Sequence, residues 1–236
     1  MNLSYHNDNA IKTKFVARAR GHQKADEIVK GQYWEDGKGC AVGCLVHSSS
    51  HLQLSSELGI PIGMARLIDR LFEGMPTENA KKFPLRFVQA IPVGKDLNAV
   101  MDRYYFTLLS DEKMGSIAFA SHKVKSSIQT VIDLYARRIA KDNPSTEEWI
   151  KARRAAADAY ATAAAYAAAY AAAYAAADAA DAADAAADAY AAADAAAAAA
   201  ADAYAAADAA ADAAAARQNH FLWQAELLIT LLKEAK

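Results

Sequence analysis

The sequence predicts an all-α protein: a helical head domain, a folded-back alanine-rich helical array and a C-terminal amphipathic helix. Three observations predict it. Apolar residues recur at three- and four-residue spacings through most of residues 1–143, and alternating strand patterns are weak. Residues 145–216 contain neither Gly nor Pro and are dominated by alanine, the best intrinsic helix former. Residues 217–235 place Phe221, Leu222, Ala225, Leu228, Ile229 and Leu232 on one helical face. The implied division of the 236 residues is 1–143 for the head and 144–236 for the array with its last helix.

Within the head, residues 17–30 read as a helix closed by Gly31. Asp36-Gly37 and Lys38-Gly39 signal turns. Pro61 suits a first helical turn, Met64, Ile68, Leu71 and Phe72 follow on one face, and Gly74-Met75-Pro76 ends the run. Pro84 opens another helix, with Leu85, Val88 and Ile91 together before Pro92. Leu97, Val100, Met101, Tyr104 and Leu108 form the next stripe. Val124, Ile128, Val131, Ile132, Tyr135 and Ile139 form a stronger one, with Arg137, Arg138 and Lys141 at the end where cations favour a helix C-terminus. After Asp142-Asn143-Pro144, Ser145 and Glu148 fit a capping box: the hydroxyl accepts from an amide three residues on and the carboxylate reaches back.

One unbroken helix over 145–216 would be about 105 Å long, against about 35–40 Å for the head. Folding back buries more surface, so two or three antiparallel segments are expected, with a break near Asp178, Asp181 and Asp184, since Asp caps helix N-termini well. The alternative is one rod paired in a homo-oligomer. Methyl side chains let helices approach closely. Tyr166, Tyr170 and Tyr174, spaced by four, form a diagonal ladder that serves either as knobs between alanine faces or as an aromatic groove for a planar ligand.

The net charge of −2 hides a split: residues 155–216 carry nine Asp and no Lys or Arg, so the remainder carries +7. No global bias toward nucleic acid follows, and the Asp residues read as a solvated face. Two cysteines do not make a disulfide scaffold. Residues 159–177 are uncharged, but they are Ala, Tyr and Thr, which gain little from hydrocarbon, so no membrane span is expected. No signal peptide is visible, which points to a cytoplasmic protein.

The most chemically suggestive stretch holds Cys40, Cys44, His47 and His51, at spacings of four, three and four. On one helix they share a stripe about 60° wide, yet Cys40 and His51 would stand about 16 Å apart, too far for a common ion. Zinc would need the helix to end near Ser48, or a ligand such as His22 from elsewhere. Four readings stay open: that zinc site; a Cys40 nucleophile at a helix N-terminus with His22, His47 or His51 as base; a polar ligand pocket lined by these histidines; and a buried helix whose cysteines pack as small hydrophobes. His22 and Asp26, and Arg66 and Asp69, read as ion pairs, with Arg66 also available to an anionic ligand. No phosphate loop, nucleophile elbow, dinucleotide fingerprint or HExxH motif is present.

GCAVGC at 39–44, ELGIP at 57–61, LFEGMP at 71–76 and AIPVGKDL at 90–97, followed by an Ala/Tyr/Asp tail, resemble a group of uncharacterised bacterial and phage proteins. The tail is also similar to alanine-rich parts of proteins labelled as immunity proteins. The resemblance implies a place in bacteria–phage conflict and no defined activity. The resulting expectation is a protein that binds or sequesters a small nucleotide-like signal, without a cofactor, through Tyr166, Tyr170, Tyr174, Arg66, His22 and His51. A hydrolase using the Cys/His set or zinc, and an acidic helical interaction module, are the alternatives.

Overall fold

A computed structural model describes residues 2–120, 122–161 and 210–235. The fold is all-α. In chain order the helices are α1 (Asn9–Lys24), α2 (Ala41–Val46), α3 (His51–Leu58), α4 (Ile62–Gly74), α5 (Thr77–Ala80), α6 (Phe83–Ala90), α7 (Asn98–Ser110), α8 (Ser116–Phe119), α9 (His122–Ile139), α10 (Thr146–Ala161) and α11 (Ala210–Glu234). A 3₁₀ turn (Ser4–Asn7) precedes α1, and a minimal antiparallel hairpin, β1 (Trp34–Glu35) with β2 (Lys38–Gly39), precedes α2. The chain divides into two compact units, Met1–Met101 with Phe221–Lys236, and Asp102–His220. Helix α9 packs against α10.

In the first unit α2 is the core. All six of its residues are buried, and α1, α3, α4 and α6 pack around it. Helix α1 begins earlier than the apolar pattern suggests, because the Asp8 carboxylate accepts from the Ala10 amide at 2.7 Å and caps it. It also stops six residues short of Lys30: the following backbone bonds to β2 instead, Val29 N–H to the Gly39 carbonyl at 2.9 Å and Gly39 N–H to that of Glu27 at 3.0 Å. The Lys38-Gly39 turn signal accordingly falls on strand β2.

Helix α4 follows its pattern closely. Pro61 stands at the N-cap, and Met64, Leu67, Ile68, Leu71 and Phe72 are buried. Each such large apolar side chain stabilises the fold by about 1.5–3 kcal/mol. Arg66, Asp69, Arg70 and Glu73 occupy its other face at the i, i+3, i+4, i+7 spacing, every one half-buried. Helix α6 buries Phe83, Phe87 and Val88, while Leu85 is only half-buried. On the C-terminal helix Phe221, Ala225, Leu228, Ile229 and Leu232 are buried as the pattern requires, while Leu222 is only half-buried. Gly74 meets the Phe221 ring where a β-carbon would overlap it, and Arg86 grips Glu226 with two bonds of 2.6 and 2.7 Å.

In the second unit Val124, Ile128, Val131, Ile132 and Tyr135 of α9 are buried, whereas Ile139 is 40 % exposed. Tyr135 meets Trp149 of α10 edge-on at 5.0 Å and Tyr105 at 5.8 Å. The capping box forms: Ser145 N–H donates to Glu148 at 2.7 Å and Glu148 N–H to the Ser145 hydroxyl at 3.3 Å. The tyrosine ladder Tyr166, Tyr170 and Tyr174, and the break expected near Asp178, Asp181 and Asp184, lie outside the described residues. Among the described residues no helix is long and apolar enough to cross a membrane.

Candidate functional site

Residues 31–51 build the site. Asp36 and Gly37 both take positive φ, 49° and 80°, and turn the chain so that Trp34 pairs with Gly39. The Cys40 N–H donates to the Gln32 carbonyl at 2.7 Å, and its sulfur accepts from the Gly43 N–H at 3.5 Å as the N-cap of α2. Gly39 and Gly43 let the hairpin lie directly on α2, since a β-carbon at either would overlap the Tyr33 carbonyl oxygen. Tyr33 and Trp34 are thereby set among the histidines.

The single helical stripe from Cys40 to His51 does not form. Helix α2 ends at Val46, His47 takes a left-handed conformation (φ 55°), and α3 starts at His51 behind a Ser50 hydroxyl cap. The break separates the four residues into different surroundings. Trp34 stacks on His47 with centroids 4.3 Å apart and planes 15° from parallel, and meets His22 edge-on at 5.4 Å. His22 Nε2 lies 2.9 Å from His47 Nε2, and His22 Nδ1 lies 2.6 Å from Glu27. On the other side of the hairpin Tyr33 meets His51 edge-on at 5.9 Å, and His51 Nε2 lies 3.0 Å from Asp69 Oδ2. The expected His22–Asp26 pair is replaced: Glu27 holds His22, and Asp26 pairs with Lys81 at 2.6 Å.

Both cysteines are buried, at 1 % and 0 % exposure. Burial, with the nearby Asp69 charge second, pushes the Cys40 thiol up to about 12. Burial does the same to Cys44, also to about 12, whose thiol donates to the Gly39 carbonyl at 3.2 Å. Both shifts favour the protonated thiol at neutral pH and work against a thiolate at Cys40 despite the helix N-terminus there.

The candidate zinc set, one of the four open readings, is not brought together among the described residues either. Among the described residues no three of Cys40, Cys44, His47 and His51 bring ligand atoms within 4.8 Å of one another; Cys40, Asp69 and Glu73 do. In that trio Asp69 Oδ1 is buried, and the Asp69 carboxylate faces the Cys40 thiol, whose pKa it raises. Glu73 accepts from the Gly31 N–H at 3.1 Å, and burial holds its carboxyl above the usual carboxylate range. Arg66, the expected anion contact, lies on the same charged face of α4 as Asp69.

Chemically, the arrangement offers two carboxylate–imidazole pairs and an aromatic surface. Glu27 as a carboxylate can only accept, so a neutral His22 donates from Nδ1 and presents a lone pair at Nε2, and His47 donates to it. Burial, then the charges of Arg18 and His22, hold His47 below the usual imidazole value. Tyr33 is 47 % exposed and His47 is exposed, so both present ring surface to solvent. Sequence reasoning missed Tyr33, Trp34, Glu27 and Glu73. The signal for the first two was the four-residue spacing of Gly39 and Gly43, which marks a close backbone approach. Comparison with protein-family models, with curated proteins and with solved structures gives no match to this chain.

Proposed function

We propose that the chain is a small-molecule-binding protein whose site is the ring-and-imidazole face around α2, and whose ligand is planar and anionic, of the nucleotide kind. The observation that carries this reading is the pair of ring clusters that the hairpin brings to the histidines, Trp34 with His22 and His47, and Tyr33 with His51, with Tyr33 left 47 % exposed. An exposed ring offers a stacking surface worth about 1–3 kcal/mol per base. The half-buried Arg66 and Arg70 on α4 supply positive charge on the helix that also carries Asp69, the partner of His51. The setting in bacteria–phage conflict rests on the motif resemblance alone.

Thermal shift of the full chain against a panel of nucleotides and cyclic nucleotides, with chelator present, tests the reading. A ligand at a hundred times its dissociation constant adds about 2.7 kcal/mol, and Tyr33→Ala removes the gain. A panel without any shift ends this proposal.

A second reading, hydrolysis, is favoured by the two carboxylate–imidazole pairs, since an imidazole held by a carboxylate is poised for proton transfer. It uses His51 or His22 as base on a water molecule, without Cys40 as nucleophile. Loss of activity in His51→Gln, against a set of ester and phosphoester substrates, is its test.

A further inference from the structure

His22 and His47 stand 25 residues apart in sequence, yet their Nε2 atoms are 2.9 Å apart. Two imidazole nitrogens this close either share one hydrogen-bond proton, as a neutral pair does, or face a common metal ion that takes the proton's place. At metal–nitrogen bonds of about 2.0–2.1 Å, two ligands subtending an angle between a right angle and the tetrahedral angle stand about 2.9–3.4 Å apart. The observed separation falls at the near end of that range.

The surroundings match those of ligating histidines. A ligating imidazole donates its other ring N–H to a carboxylate, which fixes the ring and raises its basicity. His22 has this arrangement with Glu27 at 2.6 Å. The His47 ring is held by the Trp34 stack, and its backbone by the left-handed cap of α2. The two rings are nearly perpendicular, at 88°. The His22 side chain is 13 % exposed and His47 is exposed, so the point where they meet is sheltered on one side and open on the other. The charges acting on His47 are Arg18 and His22, which oppose a cation, and Glu57 and Glu27, which favour one; Lys14 lies 3.6 Å from Glu57 and offsets part of its charge.

We propose that His22 and His47 form a two-histidine site for a divalent transition-metal ion such as zinc, with Glu27 as the orienting carboxylate. Imidazole ligands suit zinc, copper and nickel. Water, or a donor atom of a bound ligand, completes the coordination on the open side. This site is distinct from Cys40, Asp69 and Glu73, whose ligands include a protonated buried thiol. It shares His22, His47 and Trp34 with the proposed ligand face, and the two readings are tested separately, because the chelator-containing panel decides the nucleotide reading without metal.

The experiment is calorimetric titration of the full chain with zinc chloride. The expected result is one ion per chain. His22→Gln and His47→Asn should each weaken binding at least about a hundredfold, and Glu27→Gln about ten- to a hundredfold; asparagine tolerates the left-handed backbone at position 47. Cys40→Ser and His51→Gln should leave affinity unchanged. A second readout needs no histidine variant: nickel, bound next to the Trp34 ring, should quench tryptophan fluorescence in the wild type and not in Trp34→Phe. Absence of stoichiometric zinc binding overturns the proposal, as does loss of binding in Cys40→Ser with retention in both histidine variants.

Discussion

The carbonyl oxygen of Tyr33 occupies the space that a β-carbon at Gly43 would need. The obstacle is backbone, so it cannot swing aside as a side chain would. Gly43→Ala therefore has to push the hairpin off α2, at a cost of about 1–3 kcal/mol or more. Gly21 is the internal comparison: it lies inside α1 with open space around it. Gly21→Ala should stabilise by about 0.5–1 kcal/mol through the unfolded chain and helix propensity. Urea midpoints of the two variants should move in opposite directions. A Gly43→Ala protein as stable as wild type would show that the hairpin does not rest on α2.

The same pair of residues shows where sequence reading stopped. Helices governed by their own apolar period, such as α4 with Met64, Ile68, Leu71 and Phe72, were legible because burial of that stripe decides them. The capping box at Ser145 and Glu148 was legible because its chemistry is local. The cluster around His22 was not. Its partners Glu27, Trp34 and His47 meet only because two glycines admit a hairpin and because His47 breaks the helix in a left-handed conformation. Those are tertiary events with no periodic signature. The C-terminal helix was legible as amphipathic, but its burial beside Gly74 through Phe221 was not, because spacing within one helix is silent about its partner.

Burial of both thiols sets their chemistry. With Cys40 and Cys44 pushed up to about 12, both favour the protonated thiol at neutral pH. Ellman-type labelling of the native protein at pH 7.5 should be slow, limited by local opening, and both thiols should react at once in denaturant. Fast labelling of Cys40 in the native state would restore the nucleophile reading.

Arg86 and Glu226 make a bidentate pair that joins α6 to the last helix. The hydrogen bonds from Arg86 hold the Glu226 carboxyl below the usual carboxylate range. A depressed carboxyl contributes stability above its unfolded value and loses it as pH falls through the folded value. Both side chains are partly exposed, 42 % and 54 %, so a double-mutant cycle should give about 0.2–1 kcal/mol at neutral pH. At about pH 3, below the ordinary glutamate value, the coupling should shrink. A coupling that is flat with pH would mean that the carboxylate does not carry it.

The Ser145 hydroxyl accepts from the Glu148 amide and so satisfies one of the orphan donors at the start of α10. Ser145→Ala should cost about 1 kcal/mol, and Ser145→Asp should retain most of the stability because a carboxylate also caps and complements the helix dipole. Glu148 has a second role: it accepts from Ser145 N–H at 2.7 Å and from Arg137, which also holds Asp142 at 2.7 Å. Glu148→Gln keeps the reciprocal cap, since glutamine serves in the same box, but weakens the charged link to α9. The melting temperature should therefore fall for Ser145→Ala at any salt concentration. For Glu148→Gln the difference from wild type should narrow as salt is raised, because only the ionic part is screened. If the two variants respond to salt alike, the cap and the ion pair do not act as separate contributions.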